Sequence, residues 1–238
     1  ACGGSNDDES SAPNIPPPND SDIVLYSSNP NGHNELNRLQ QGVSEVLLSN
    51  PAYDYWWPKV SPDKSQFLVY RSPVNPNKNH DNYKNADLML FDMDGNNPQI
   101  LISKGDYAWT QQGVSRWNKE GSKILMASEQ TLPDASSEWR LVISDAAGNN
   151  PKNLSDWWII DPNFSPDNQS IVFIAFPNDT PTIPITFSQL ELHRADYDAV
   201  SNSISNIERL SFNDTRDHDP SYSPDGNKIV FSAGNESY

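Results

Sequence analysis

A short ribbon motif recurs along the chain, and it constrains the fold more than any other feature. Its clearest copy is His218-Asp219-Pro220-Ser221-Tyr222-Ser223-Pro224-Asp225-Gly226, running into Ile229-Val230-Phe231. Pro224 pre-sets φ for the second position of a type I turn, Asp225 suits the next position, and Gly226 can take the left-handed conformation that returns the chain. The β-branched and aromatic run that follows has the makeup of a strand buried on both faces. The pattern recurs at Val60-Ser61-Pro62-Asp63 before Phe67-Leu68-Val69-Tyr70, and at Phe164-Ser165-Pro166-Asp167 before Ile171-Val172-Phe173. A worn copy, Trp117-Asn118-Lys119-Glu120-Gly121, leads to Ile124-Leu125-Met126, with Lys119 where the others have proline. From Val60 to Trp117 to Phe164 to Tyr222 the steps are 57, 47 and 58 residues, the spacing of a repeat architecture.

Strand patterns fill the intervals. They fall at residues 57–61, 67–71, 88–92 and 99–102; at 114–117, 123–127, 140–144 and 152–154; and at 161–165, 171–176, 189–194 and 207–210. Three more, at 23–28, 35–39 and 43–48, precede them. Four antiparallel strands per unit, with a hairpin after the first strand and another after the third, is the plan of a β-propeller blade. The second hairpin is marked by Asp92-Met93-Asp94-Gly95-Asn96 and by Asp145-Ala146-Ala147-Gly148-Asn149. The former faintly resembles a calcium loop, but Ala147 stands where Asp94 does, so both read as plain turns and no metal or other cofactor is expected. The expected fold is therefore all-β, a propeller of four-stranded antiparallel blades over residues 23–238. The first unit lacks its inner strand and the last stops at Tyr238, so the chain reads as an open arc of about four blades from a six- to eight-bladed ring.

Composition agrees. Twenty prolines and a mean hydropathy of -0.72 favour short strands and long polar loops over helices. A net charge of -16 repels phosphate, which argues against nucleic acid and against adsorption on anionic membranes; its plain consequence is solubility. No apolar run approaches the length of a membrane span.

Residues 1–22 begin Ala1-Cys2-Gly3-Gly4-Ser5 and continue mostly in Asn, Asp, Ser and Pro, with little to bury, and are expected to be a disordered tether. Ala1-Cys2 followed by such a tether resembles the cleavage site and spacer of bacterial lipoproteins, in which the cysteine becomes the first mature residue and is acylated. The resemblance implies a lipid on Cys2, with Gly3 rather than a retention-type Asp behind it, and hence an outer-membrane anchor facing the periplasm or cell surface. The alternative is an incidental thiol. Cys2 is the only cysteine, so no disulfide supports the fold.

The Pro-x-aromatic-Ser-Pro-Asp-Gly pattern, an apolar strand after it, and units ending Leu154-Ser155 and Leu210-Ser211 resemble the WD-like repeats of TolB-type propellers. The resemblance covers about residues 23–238 and speaks for the fold, because its motif residues belong to turns and core. In TolB itself a small α/β domain precedes the propeller; here the tether stands in that place. The repeats are also similar to those of the propellers of prolyl-oligopeptidase-type peptidases, whose catalytic domain is a separate α/β-hydrolase unit. No Gly-x-Ser-x-Gly nucleophile elbow occurs in this sequence.

In an up-and-down blade the first and third turns share one face. The long dissimilar segments then fall on the other: 73–85, 129–138 and 177–187 within blades, and 49–56, 103–112, 155–160 and 211–218 between them. Recognition tends to sit on such loops. The between-blade set carries Tyr53, Tyr55, Trp56 and Trp57, then Tyr107 and Trp109, then Trp157 and Trp158. With Asp54, Asp106, Asp161, Arg216, His218 and Asp219 nearby, these could stack on a sugar or grip a peptide around the channel mouth. Equally, the tryptophans could plug the wedges between blades. His33, His80, His193 and His218 form no convergent metal set, and no catalytic residue set is identified. The leading expectation is a non-catalytic envelope binding or scaffold protein that presents this face to a protein, peptide or glycan. The alternative is the substrate-gating propeller of a hydrolase.

Overall fold

The computed structural model describes residues 22–75, 82–177 and 189–234. The lipidation candidate Cys2, the tether up to residue 21, His80 and most of the 177–187 segment lie outside the described residues.

Within the described residues the chain forms seventeen strands in five sheets. The first sheet has three strands: β1 (Ile23–Ser28), β2 (Glu35–Gln40) and β3 (Val43–Leu48). Three four-stranded sheets follow. They are β4 (Tyr53–Val60), β5 (Gln66–Pro73), β6 (Asp87–Asp92) and β7 (Gln99–Ile102); β8 (Trp109–Trp117), β9 (Lys123–Thr131), β10 (Ser137–Asp145) and β11 (Lys152–Asn153); and β12 (Ile159–Phe164), β13 (Ser170–Ala175), β14 (Glu191–Asp198) and β15 (Ser203–Arg209). The last sheet pairs β16 (Arg216–Tyr222) with β17 (Ile229–Gly234). Each strand pairs antiparallel with its sequence neighbour, and the inner strands β4, β8, β12 and β16 stand side by side in that order. This is a propeller arc whose sheets do not close into a ring, with three complete blades between two incomplete ones.

The turn between the first two strands of each blade is closed by side chains. At Ser61 the hydroxyl donates to Asp63 Oδ1 (2.6 Å), the Asp63 carboxylate accepts the Ser65 amide (3.1 Å), and Lys64 takes a left-handed φ of 58°. Ser165 with Asp167 and Ser223 with Asp225 repeat the arrangement, each at 2.6 Å, with left-handed Asn168 and Gly226. The worn copy is chemically complete: Asn118 Oδ1 accepts the amides of Ser122 and Lys123, both at 2.8 Å, and its Nδ2 donates to Glu120 (2.9 Å). Asn118 and Glu120 thus substitute for serine and aspartate, and Gly121 supplies the positive φ. In the second hairpins, the Asp92 and Asp145 carboxylates are engaged by the turn itself.

Strands β5, β9 and β13 are buried on both faces, and their side chains alternate between neighbouring blades. Phe67 and Val69 join Leu36, Leu48 and Tyr55 on one side, whereas Leu68 and Tyr70 join Ile124, Met126 and Trp109 on the other. Leu125 packs with Ile171 and Phe173, while Val172 and Ile174 face Tyr222 and Ile229. Each core layer is therefore an interface between two successive sheets, and the arc holds together by nearest-neighbour burial. Buried polar staples reinforce two of these joints. The Asp54 carboxylate accepts the Asn34 amide, and the fully buried Asp217 accepts Leu192 N–H and Asn213 Nδ2.

The between-blade connections are shorter than the sequence patterns suggest. The inner strands start at Tyr53, Trp109, Ile159 and Arg216, so much of the predicted loop material is strand. Likewise β9 and β10 extend through residues assigned to a 129–138 loop. The inner strands begin ahead of the expected positions, and each carries an irregularity partway along it.

Candidate functional site

That irregularity shapes the channel. Register shifts fall between Trp56 and Lys59, Gly113 and Arg116, Ile160 and Asn163, and His218 and Ser221. At each shift one residue adopts a left-handed backbone: Trp57 (φ 49°), Val114 (52°), Asp161 (50°) and Asp219 (52°). These bulges repeat at the same 57-, 47- and 58-residue steps as the turns. A bulge re-aims side chains by placing two residues opposite one, and here four of them act at one level of the inner strands.

On the long-loop side the bulges border a cavity of about 520 Å³ lined by Trp57, Tyr83, Trp139, Trp158, Asp161 and Arg216, with Gln111, Gly113, Val114 and Ile160 between them. Trp57 meets Tyr83 edge-on with centroids 5.4 Å apart and Tyr70 at 5.9 Å. Trp158 leans on Phe176 at 4.8 Å. Asp161 is held well inside: burial first, and then the neighbouring Asp219 carboxylate, push its pKa above the usual carboxylate range, against the pull of Arg116 and Arg216. Its Oδ2 accepts the Asp219 amide at 3.4 Å.

Of the aromatics predicted to ring the mouth, Trp57 and Trp158 line this cavity, as does Arg216. Tyr55 and Trp109 are core residues, 6% and 7% exposed, and fill the wedges between blades. Trp56 is half-buried, donating from Nε1 to Ser72 Oγ (2.9 Å). Tyr53 lies under the Arg71 guanidinium at 4.6 Å. Trp157 packs on the third interface, edge-on to the buried His193. Tyr107 is exposed and donates to the Gly148 carbonyl (3.0 Å). His218 and Asp219 lie 3.4 Å apart on the fourth inner strand. Asp106 caps a turn by accepting the Ser103 amide at 2.8 Å.

Sequence reasoning missed Tyr83 and Trp139, which reach the mouth from within-blade segments. It also missed Lys59 and Arg116, although the repeat could have revealed them, since they occupy one column, immediately before Val60 and Trp117. Burial and the charge of Arg116 lower the Lys59 pKa to about 8, while Asp219 opposes the shift. Among the described residues no group of three or more His, Cys, Asp and Glu is arranged to hold a metal.

The architecture recurs in solved structures. A TolB structure from Agrobacterium tumefaciens superposes with a TM-score of 0.60 at 18% identity, over 89% of this chain and 66% of that one. An oligogalacturonate lyase in complex with manganese gives 0.57 at 13% identity, over 87% and 55%. A puromycin-hydrolyzing peptidase from Mycobacterium tuberculosis gives 0.57 at 14% identity, over 84% and 32%. The chain thus spans less than two thirds of each of these proteins, and the likeness is one of fold, that of TolB-like propellers. No family model matches the sequence, and no curated protein does.

Proposed function

We propose that the chain is a non-catalytic binding module of the bacterial cell envelope, and that the aromatic channel mouth receives a peptide or glycan segment, free or on a protein partner. One observation carries the reading. Trp57, Tyr83, Trp139 and Trp158, drawn from separate segments of three blades, surround one cavity that also holds Asp161 and Arg216. Aromatic walls supply contact area at low entropic cost, and a carboxylate beside a guanidinium supplies directional polar contacts. The envelope assignment draws support from the Ala1-Cys2 tether, which would anchor the protein through a lipid on Cys2, and from the fold shared with TolB.

Peptide and oligosaccharide arrays test the binding reading. Replacing Trp139 and Trp158 together by alanine should reduce retention at least about tenfold, with circular dichroism unchanged; equal retention by the variant would sink the proposal. Acylation is read separately, by incorporation of labelled palmitate that Cys2→Ser abolishes. In a second reading the same mouth admits substrate to a hydrolytic domain. The fold shared with the mycobacterial peptidase, of which this chain spans 32%, favours it. A hydrolase domain in the full reading frame would support that alternative over the first reading.

A further inference from the structure

The opposite, turn-side end of the channel has a different chemistry. There a second cavity, about 320 Å³, is lined by Lys59, Arg116, Lys119, Asn118, Asn163 and Asn168 among its polar side chains, and no Asp or Glu is among the described residues lining it. This is unexpected in a chain with 32 acidic and 16 basic residues. Lys59 and Arg116 sit just past the bulges of β4 and β8, so two adjacent inner strands deliver cations to one place. The Arg116 guanidinium donates to the Ser115 carbonyl (3.0 Å). The Lys59 ammonium makes no hydrogen bond or ion pair with any described residue.

We propose that this cavity is a carboxylate-binding site in which Lys59 and Arg116 grip a single monoanionic group. Lys59, Arg116 and Lys119 line the cavity, while the Asp219 carboxylate acts on Lys59 from β16. An incoming anion therefore meets a repulsion that is about twice as large for a phosphate dianion as for a carboxylate. Burial first, and then the Arg116 charge, depress the Lys59 pKa against the pull of Asp219. The carboxylate could belong to a peptide C-terminus or to an acidic sugar. The site is separate from the aromatic mouth and does not depend on its occupant.

Heteronuclear NMR of the intact chain tests this, with sodium acetate as probe and chloride and inorganic phosphate at matched ionic strength as comparisons. Acetate should shift the Lys59 and Arg116 side-chain resonances saturably and raise the Lys59 titration midpoint. Binding should then weaken above about pH 8, where Lys59 loses its proton in the free protein. The groups facing Lys59 are Arg116 from β8 and Asp219 from β16, with His218 next to the latter, and their own side-chain resonances report whether any of them titrates instead. Lys59→Met should cut acetate affinity about tenfold or more, whereas Trp158→Ala, at the other mouth, should leave it unchanged. Hippurate against its amide, and glucuronate against glucose, then separate the two sources of the carboxylate. Phosphate binding as tightly as acetate, an unchanged response in Lys59→Met, or acetate binding lost in Trp158→Ala would each overturn the proposal.

Discussion

The turns that close each first hairpin and the bulges inside each inner strand recur at the same intervals, yet they treat sequence in opposite ways. At the turns the chemistry is held: serine or asparagine accepts the returning amides, and aspartate or glutamate braces it. At the bulges the backbone is held while the side chains diverge, as Trp57, Val114, Asp161 and Asp219. The difference follows from what each element asks of its residues. A turn needs particular oxygens to satisfy its own amides, whereas a bulge only needs the neighbouring sheet to enforce its φ, and points whatever it carries at the channel. Repetition of side chains therefore marks scaffold here, and repetition of backbone with changing side chains marks the working surface.

The sharpest way to break this contrast is at the turn. Asn118→Ala strands two part-buried amides and should cost about 2 kcal/mol in urea unfolding, while Asn118→Ser, which restores the acceptor used in the sibling turns, should recover most of it without altering retention at the aromatic mouth. Equal losses for alanine and serine would mean that the asparagine packs rather than bonds. At the bulge, Val114→Gly should do the reverse. A β-branched residue at positive φ carries strain of about 1–3 kcal/mol, and glycine gives back about 0.5–1 kcal/mol in chain entropy. A net gain of about 1 kcal/mol is therefore expected, again by urea unfolding, and a loss would show that the valine side chain supports the mouth. The smallest effects concern carboxylates, and their signs differ. Asp167 is held below its ordinary pKa, first by the Ser165 hydroxyl and then by the Gln169 amide. It contributes stability that is present above the ordinary carboxylate pKa and lost as pH falls through its lowered value. Asp161, raised by burial, is at its most favourable while protonated and loses stability as pH rises through its raised value. At pH 7 Asp167→Asn should therefore destabilise and Asp161→Asn should stabilise, and both differences should shrink in acid. Same-signed effects at pH 7 would end the distinction.

What was legible in the sequence follows the same division. Ser-Pro-Asp turns and the runs Phe67–Tyr70 or Ile171–Phe173 announce themselves, because side-chain type is what makes them work, and the arc of five sheets, the first with three strands among the described residues, could be read from them. The bulges could not. Nothing about Trp57 or Val114 favours a left-handed backbone, and the sequence patterns at 57–61 and 114–117 begin only at these residues, several positions after the inner strands themselves. Half of the mouth was hidden for a second reason: Trp139 lies at the start of β10 and Tyr83 in a single 3-10 turn, neighbours of Trp57 in space and far from it along the chain.

Strands β5, β9 and β13 send successive side chains to opposite neighbours, and this sets rules for how such a molecule can change. Gaining or losing one residue there would hand each flanking sheet the set meant for the other, spoiling two contacts at a stroke. The central ribbons of this chain must therefore evolve by exchange of residues alone, and changes of length are confined to the segments outside them.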